Sequence, residues 1–231
     1  MFSSIEKEIQ KKANPKKAKL LQKFFKTGKG QYGEGDIFLG LRVPHQREIV
    51  KKFSNLSFSE IQKLLKSKFH EYRLIALLIL VFQYKKSDNK NKKKIFDFYL
   101  KNTKFINNWD LVDLSAPNIV GNYLLTKNKK ILYKLAKSKN LWEKRISMIS
   151  TLYFIKYNQF KDTLKIAEIL INDSHDLIHK AVGWCLREVG KKDKKVLDKF
   201  LTQYYIHLPR TSLRYSIEKH PEKERKKWLR K

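Results

Sequence analysis

Trp109 and Asp113 are the residues of this chain whose types and spacing most suggest chemistry. They stand four apart in Ile106-Asn107-Asn108-Trp109-Asp110-Leu111-Val112-Asp113-Leu114-Ser115-Ala116-Pro117. Asn107 or Asn108 can N-cap a short helix there, and Pro117 sets its far limit by disfavouring helical backbone in the residue before it. Residues four apart share one helical face. Val112 and Ala116 join that face, so the carboxylate looks toward apolar neighbours. Such an Asp needs a hydrogen-bond partner, a counter-ion or a chemical task. From spacing alone, an Asp bonding a neighbouring helix end is a commoner case than a reactive one.

Other candidates carry weaker signals. His175 and His179 have a metal-pair spacing, but no third ligand cluster accompanies them, and Asp176 is not placed as the Glu of HExxH. Helix capping or a phosphate contact suits them better. Gly28, Gly30 and Gly33 spell GxGxxG. A dinucleotide fingerprint needs a strand before it and a helix opening within it. Here a helix precedes, so 28–36 reads as an ordered loop with several positive-φ positions. Trp184 is a candidate groove aromatic, although a helical Trp beside Leu186 and Val182 is more often core, and Cys185 beside it reads as a small buried hydrophobe.

The elements that would position these residues are helices. Apolar residues recur at three-and-four spacing throughout, with helices expected near 15–26, 44–53, 70–84, 89–101, 107–115, 118–126, 128–138, 142–156, 160–171, 175–190, 193–206, 209–219 and 221–229. Arg73 and Arg145 lie 72 residues apart with Trp109 midway, and a further 36 reaches Ala181, in the helix of Trp184 and Arg187. Arg214 follows near the next register position. The expectation is an all-α solenoid of HEAT-like antiparallel helix pairs, one domain over 1–231, with these residues along a concave basic face.

Composition fits that reading. With 52 Lys+Arg against 22 Asp+Glu, the net charge of +30 favours a polyanionic partner. Only 9 of the basic residues are arginines, and four of them fall at or near the repeat register. Arg suits bidentate contact with phosphate, although an arginine buried along a helical spine and bonding Glu71 or Glu143 fits the spacing as well. No apolar run is long enough for a membrane span, no signal peptide is visible, and a single cysteine suits a reducing cytoplasm.

Several segments together resemble the AlkD-type DNA alkylation repair glycosylases. They are Asn108 to Asp113, Trp142-Glu143-Lys144-Arg145, His179 to Glu188, Phe38-Leu39-Gly40 with Val43-Pro44, and Leu208-Pro209-Arg210-Thr211 with Leu213-Arg214-Tyr215. The resemblance implies a HEAT-like solenoid holding double-stranded DNA and hydrolysing the N-glycosidic bond of cationic N3- or N7-alkylated purines such as 3-methyladenine and 7-methylguanine. It implies no base flipping into a pocket. Asp113 takes the catalytic carboxylate position, Trp109 and Trp184 the aromatic positions facing the deoxyribose, and Arg145 the backbone contact near the lesion. Arg187 is a further DNA contact by this resemblance, and Arg73 and Arg214 join it by register. A cytoplasmic monomer working without cofactor or metal is expected. The alternatives are a non-enzymatic HEAT-repeat protein binding damaged or bent DNA, and an RNA-binding or scaffolding module.

Overall fold

The computed structural model describes residues 2–230. Its contacts divide into two compact units, split between Ser115 and Ala116. Among the described residues all regular structure is helical apart from one isolated bridge between Ile37 and Phe69. No helix is long and apolar enough to cross a membrane.

The first unit contains α1 (Phe2–Lys11), α2 (Pro15–Phe24), α3 (Val43–Lys52), α4 (Phe58–Leu65), α5 (His70–Lys86), α6 (Asn89–Lys101) and α7 (Trp109–Ala116). Helix α1 was not expected from its charged sequence, yet Ile5 and Ile9, four apart, are fully buried. Helix α2 starts where Asn14 accepts the Lys17 N–H and Pro15 presets the first turn. In α4, Ser57 and Glu60 form a reciprocal capping box. Helix α5 is the centre of the unit, packed against α3, α4 and α6 and buried on nearly every side from His70 to Val81. Its continuous run Leu74–Val81 matches that position, because a helix enclosed all round has no polar face to keep.

The second unit contains α8 (Asn122–Leu124), α9 (Lys130–Ala136), α10 (Leu141–Lys156), α11 (Lys161–Ile169), α12 (Asp176–Lys192), α13 (Lys194–Tyr204), α14 (Arg210–Ser216) and α15 (Glu222–Trp228). Contacts run α10 to α12 to α14 along one row and α9 to α11 along another, with α10 also touching α9 and α11. This is the helix-pair layering of a HEAT-like repeat fold. The row helices begin at Leu141, Asp176 and Arg210, spacings of 35 and 34 residues, close to the pitch read from the sequence. Gly183 permits the α12–α14 approach: a Cβ there would lie 2.5 Å from Tyr215 Cβ and 2.6 Å from the Ser212 carbonyl oxygen.

Pro117 does not end the helix as expected. Ala116 keeps helical backbone (φ −58°, ψ −45°), and Pro117–Gly121 forms a π-type turn leading into α8. Proline has no N–H for the usual bond four residues back, and widening the turn absorbs that loss without a break.

Candidate active site and nucleic-acid contacts

Helix α7 carries Trp109 and Asp113, both half-buried, beside the fully buried Val112 and Ala116. Asn108 caps its start, with Oδ1 accepting the Trp109 N–H at 2.8 Å. Trp109 and Asp113 both line a cavity of about 570 Å³ whose walls include Leu20, Leu21, Phe24, Phe38, Leu41 and Leu74. The indole stacks on Phe25 with centroids 5.1 Å apart and meets Phe24 edge-on at 6.0 Å. The two phenylalanine rings together hold Trp109 at the cavity wall. Leu20 and Phe24 are 67% and 64% exposed, so the helix beside Trp109 presents apolar surface to solvent. A carboxylate in such surroundings acts on nearby positive charge more strongly than it would in water.

Behind α7 is a buried ion cluster that the sequence did not reveal. His70 stands between two carboxylates: Nδ1 is 3.1 Å from Asp36 Oδ2, and Nε2 is 2.8 Å from Asp110 Oδ2. Burial pushes the imidazole down, but the charge and hydrogen bond of Asp110, with the bond to Asp36, overcome this and raise it to about 9. Both ring nitrogens are then protonated at neutral pH and both donate. For Asp36, burial favours the neutral acid, yet the His70 bond, the Arg73 charge and the Asn108 bond hold its carboxyl below the usual range. Next in α5, Glu71 accepts the backbone N–H groups of Leu39, Gly40 and Leu41, fixing that turn.

Arg73 belongs to this cluster. It is 4% exposed, with Nη2 2.5 Å from Asp36 Oδ1 and Nη1 donating to the Ser67 carbonyl at 2.8 Å. The guanidinium is thus held inside the first unit by these partners. Repeat register located a buried arginine but could not show its partner, an aspartate 37 residues earlier at the end of a glycine loop.

The second unit holds the remaining candidates. Arg145 is 5% exposed and Nη1 donates to the Leu177 carbonyl at 2.6 Å, near the start of α12. Arg187 pairs with Glu188 and Glu218, and Arg214 is exposed. Trp184 is half-buried and lines a cavity of about 590 Å³ with Lys156, Lys191 and Lys192. Cys185 is fully buried. His175 caps α12, Nδ1 accepting the Leu177 N–H at 3.1 Å, and burial lowers its pKa. His179 Nε2 lies 2.5 Å from the Asp173 carbonyl oxygen, so each histidine has a local partner. Asp198, His220 and Glu224 cluster near α15, but Lys194 sits 2.8 Å from each of the two carboxylates and supplies their counter-charge.

The structure thus brings Trp109 and Asp113 together on one cavity in the first unit. Trp184, Arg145, Arg187 and Arg214 all lie in the second.

Comparison with known proteins gives a consistent result. A family model described as "DNA alkylation repair enzyme" matches residues 5–220. A solved structure described as a predicted DNA alkylation repair enzyme from Enterococcus faecalis superposes with a TM-score of 0.72, covering 91% of this chain and 98% of its own. The two are 15% identical, a level at which the likeness shows the fold alone. No curated protein gives a match.

Proposed function

This chain belongs to the DNA alkylation repair enzyme family, and from that premise we propose that it is a monofunctional DNA glycosylase. Its substrate is double-stranded DNA carrying cationic N3- or N7-alkylated purines, 3-methyladenine and 7-methylguanine above all. The observation that carries the reading is Asp113 one helical turn from Trp109 on a single apolar cavity, in a chain of net charge +30.

The chemistry asks little of the protein. An alkylated purine is already positively charged and leaves readily, so no strong general acid is required. As the glycosidic bond breaks, positive charge moves onto the sugar. The Asp113 carboxylate stabilises that oxocarbenium character and orients or deprotonates the attacking water. An indole attracts developing positive charge, worth roughly 0.5–2 kcal/mol, and Trp109 on the cavity wall supplies it. Within the second unit, the lysines beside Trp184, with Arg145, Arg187 and Arg214, hold phosphates.

Base release from an alkylated duplex tests the proposal. Release by the wild type that is lost on Asp113→Asn supports it. Duplex binding without release by either protein favours a binding module.

A further inference from the structure

The chemistry proposed above uses neither Asp36 nor His70, yet the residues on both sides of Trp109 are tied to them. Asn108 Nδ2 donates to Asp36 Oδ2 at 3.1 Å, and Asn107 Nδ2 reaches Asp36 Oδ1 at 3.4 Å. The same Asn108 accepts the Trp109 N–H, and Asp110, next after Trp109, receives the bond from His70. The aromatic rings repeat the connection. Trp109 stacks on Phe25, Phe25 on Phe38 at 4.7 Å, and Phe38 on the His70 ring at 4.4 Å.

A buried ion cluster is a poor choice if stability is all that is required, since well-packed apolar side chains of similar volume hold a core at least as well. Hydrogen bonds to carboxylates add direction. Here they act on the first turn of α7, and Asp113 is one turn further along the same helix. An error of about 1 Å in placing a reacting group costs on the order of 100-fold in rate.

We propose that Asp36 and His70 are positioning residues, holding the start of α7 so that the Trp109 indole and Asp113 carboxylate stand at fixed places on their cavity. The effect on excision rests on the glycosylase reading; the positioning itself does not. The groups facing His70 are Asp36 from the glycine loop, Asp110 from α7, Arg73 from its own helix, and the rings of Phe25 and Phe38. Glycine loop 28–36 acquires a task through this proposal, delivering Asp36 to the cluster.

The test labels the four tryptophans with 5-fluorotryptophan and follows their ¹⁹F resonances, the Trp109 signal being assigned by Trp109→Phe. Asp36→Asn keeps an acceptor but removes the charge. The expected result is a shifted or broadened Trp109 signal with the other three unchanged. Single-turnover release of 7-methylguanine should fall roughly 10- to 100-fold while duplex Kd stays within about twofold. An unmoved Trp109 signal and an unchanged rate, in a variant that has only lost thermal stability, would overturn the proposal. If Asp36→Asn does not fold, wild-type protein titrated from about pH 7 to 10 decides. A Trp109 signal that follows the His70 ring titration supports positioning, and one that stays still contradicts it. Wild-type protein that releases no base would overturn the glycosylase reading, with the fluorine signal still deciding the positioning question.

Discussion

Asp110 Oδ2 lies 2.8 Å from His70 Nε2, and this contact joins the helix of the candidate carboxylate to the most buried helix of its unit. It also makes stability depend on pH. The folded-state value of His70 is raised to about 9 from an ordinary 6.5, so between these values the native protein holds a proton that the unfolded chain has released. The contribution is complete below about pH 6.5 and is lost as pH rises through about 9, up to roughly 3 kcal/mol in all.

Urea unfolding at pH 6, 7.5 and 9.5 should therefore show wild-type stability falling with pH relative to His70→Gln. The comparison with the variant removes the opposing effect of discharging lysines. Parallel curves for the two proteins would mean that the ring is neutral when buried.

Arg73→Ala should destabilise the protein by about 3–5 kcal/mol, because it leaves Asp36 without its guanidinium partner in a buried site. Where the variant is folded, the salt dependence of duplex binding should match wild type. A slope lowered by about one unit would place Arg73 in the DNA-contacting set.

Lys156 and Lys192, beside Trp184, should behave in the opposite way. Substituting either by Ala should leave stability within about 0.5 kcal/mol and lower the salt slope by about 0.9. Arg145→Ala is expected to lower both duplex affinity and that slope by about one unit. An unchanged slope would confine Arg145 to holding the Leu177 carbonyl against α10.

Gly40→Ala should cost more than about 2 kcal/mol in urea unfolding. Gly40 has φ +86°, and an added Cβ would lie 2.2 Å from the Asn14 carbonyl oxygen at the start of α2. Near-wild-type stability would show that α2 can shift away from the loop.

Much of the fold was legible in the sequence because long apolar runs at helical spacing sit between clear caps and breaks. α5, α10 and α12 lie close to the ranges read from the sequence, and the repeat pitch reappears in the starts of α10, α12 and α14. Helix α1 was missed because two isoleucines among charged residues make a faint stripe, sufficient only when other elements cover it. Pro117 misled because a single proline is absorbed by a wider turn when the chain on both sides remains helical. At the site, Trp109 and Asp113 could be paired because they are local. The Asp36–His70–Asp110 cluster could not, since its members lie 34 and 40 residues apart and chain spacing carries no trace of such contacts.

The most direct measurement is base release from a duplex carrying a single 7-methylguanine under single-turnover conditions, with wild type beside Asp113→Asn. Release by the wild type, and a variant that folds and binds duplex but is slowed at least about 100-fold, is the result predicted for a carboxylate acting on the transition state. Equal rates for the two proteins would contradict the role given to Asp113. No release by either, with duplex binding intact, would contradict the glycosylase assignment itself.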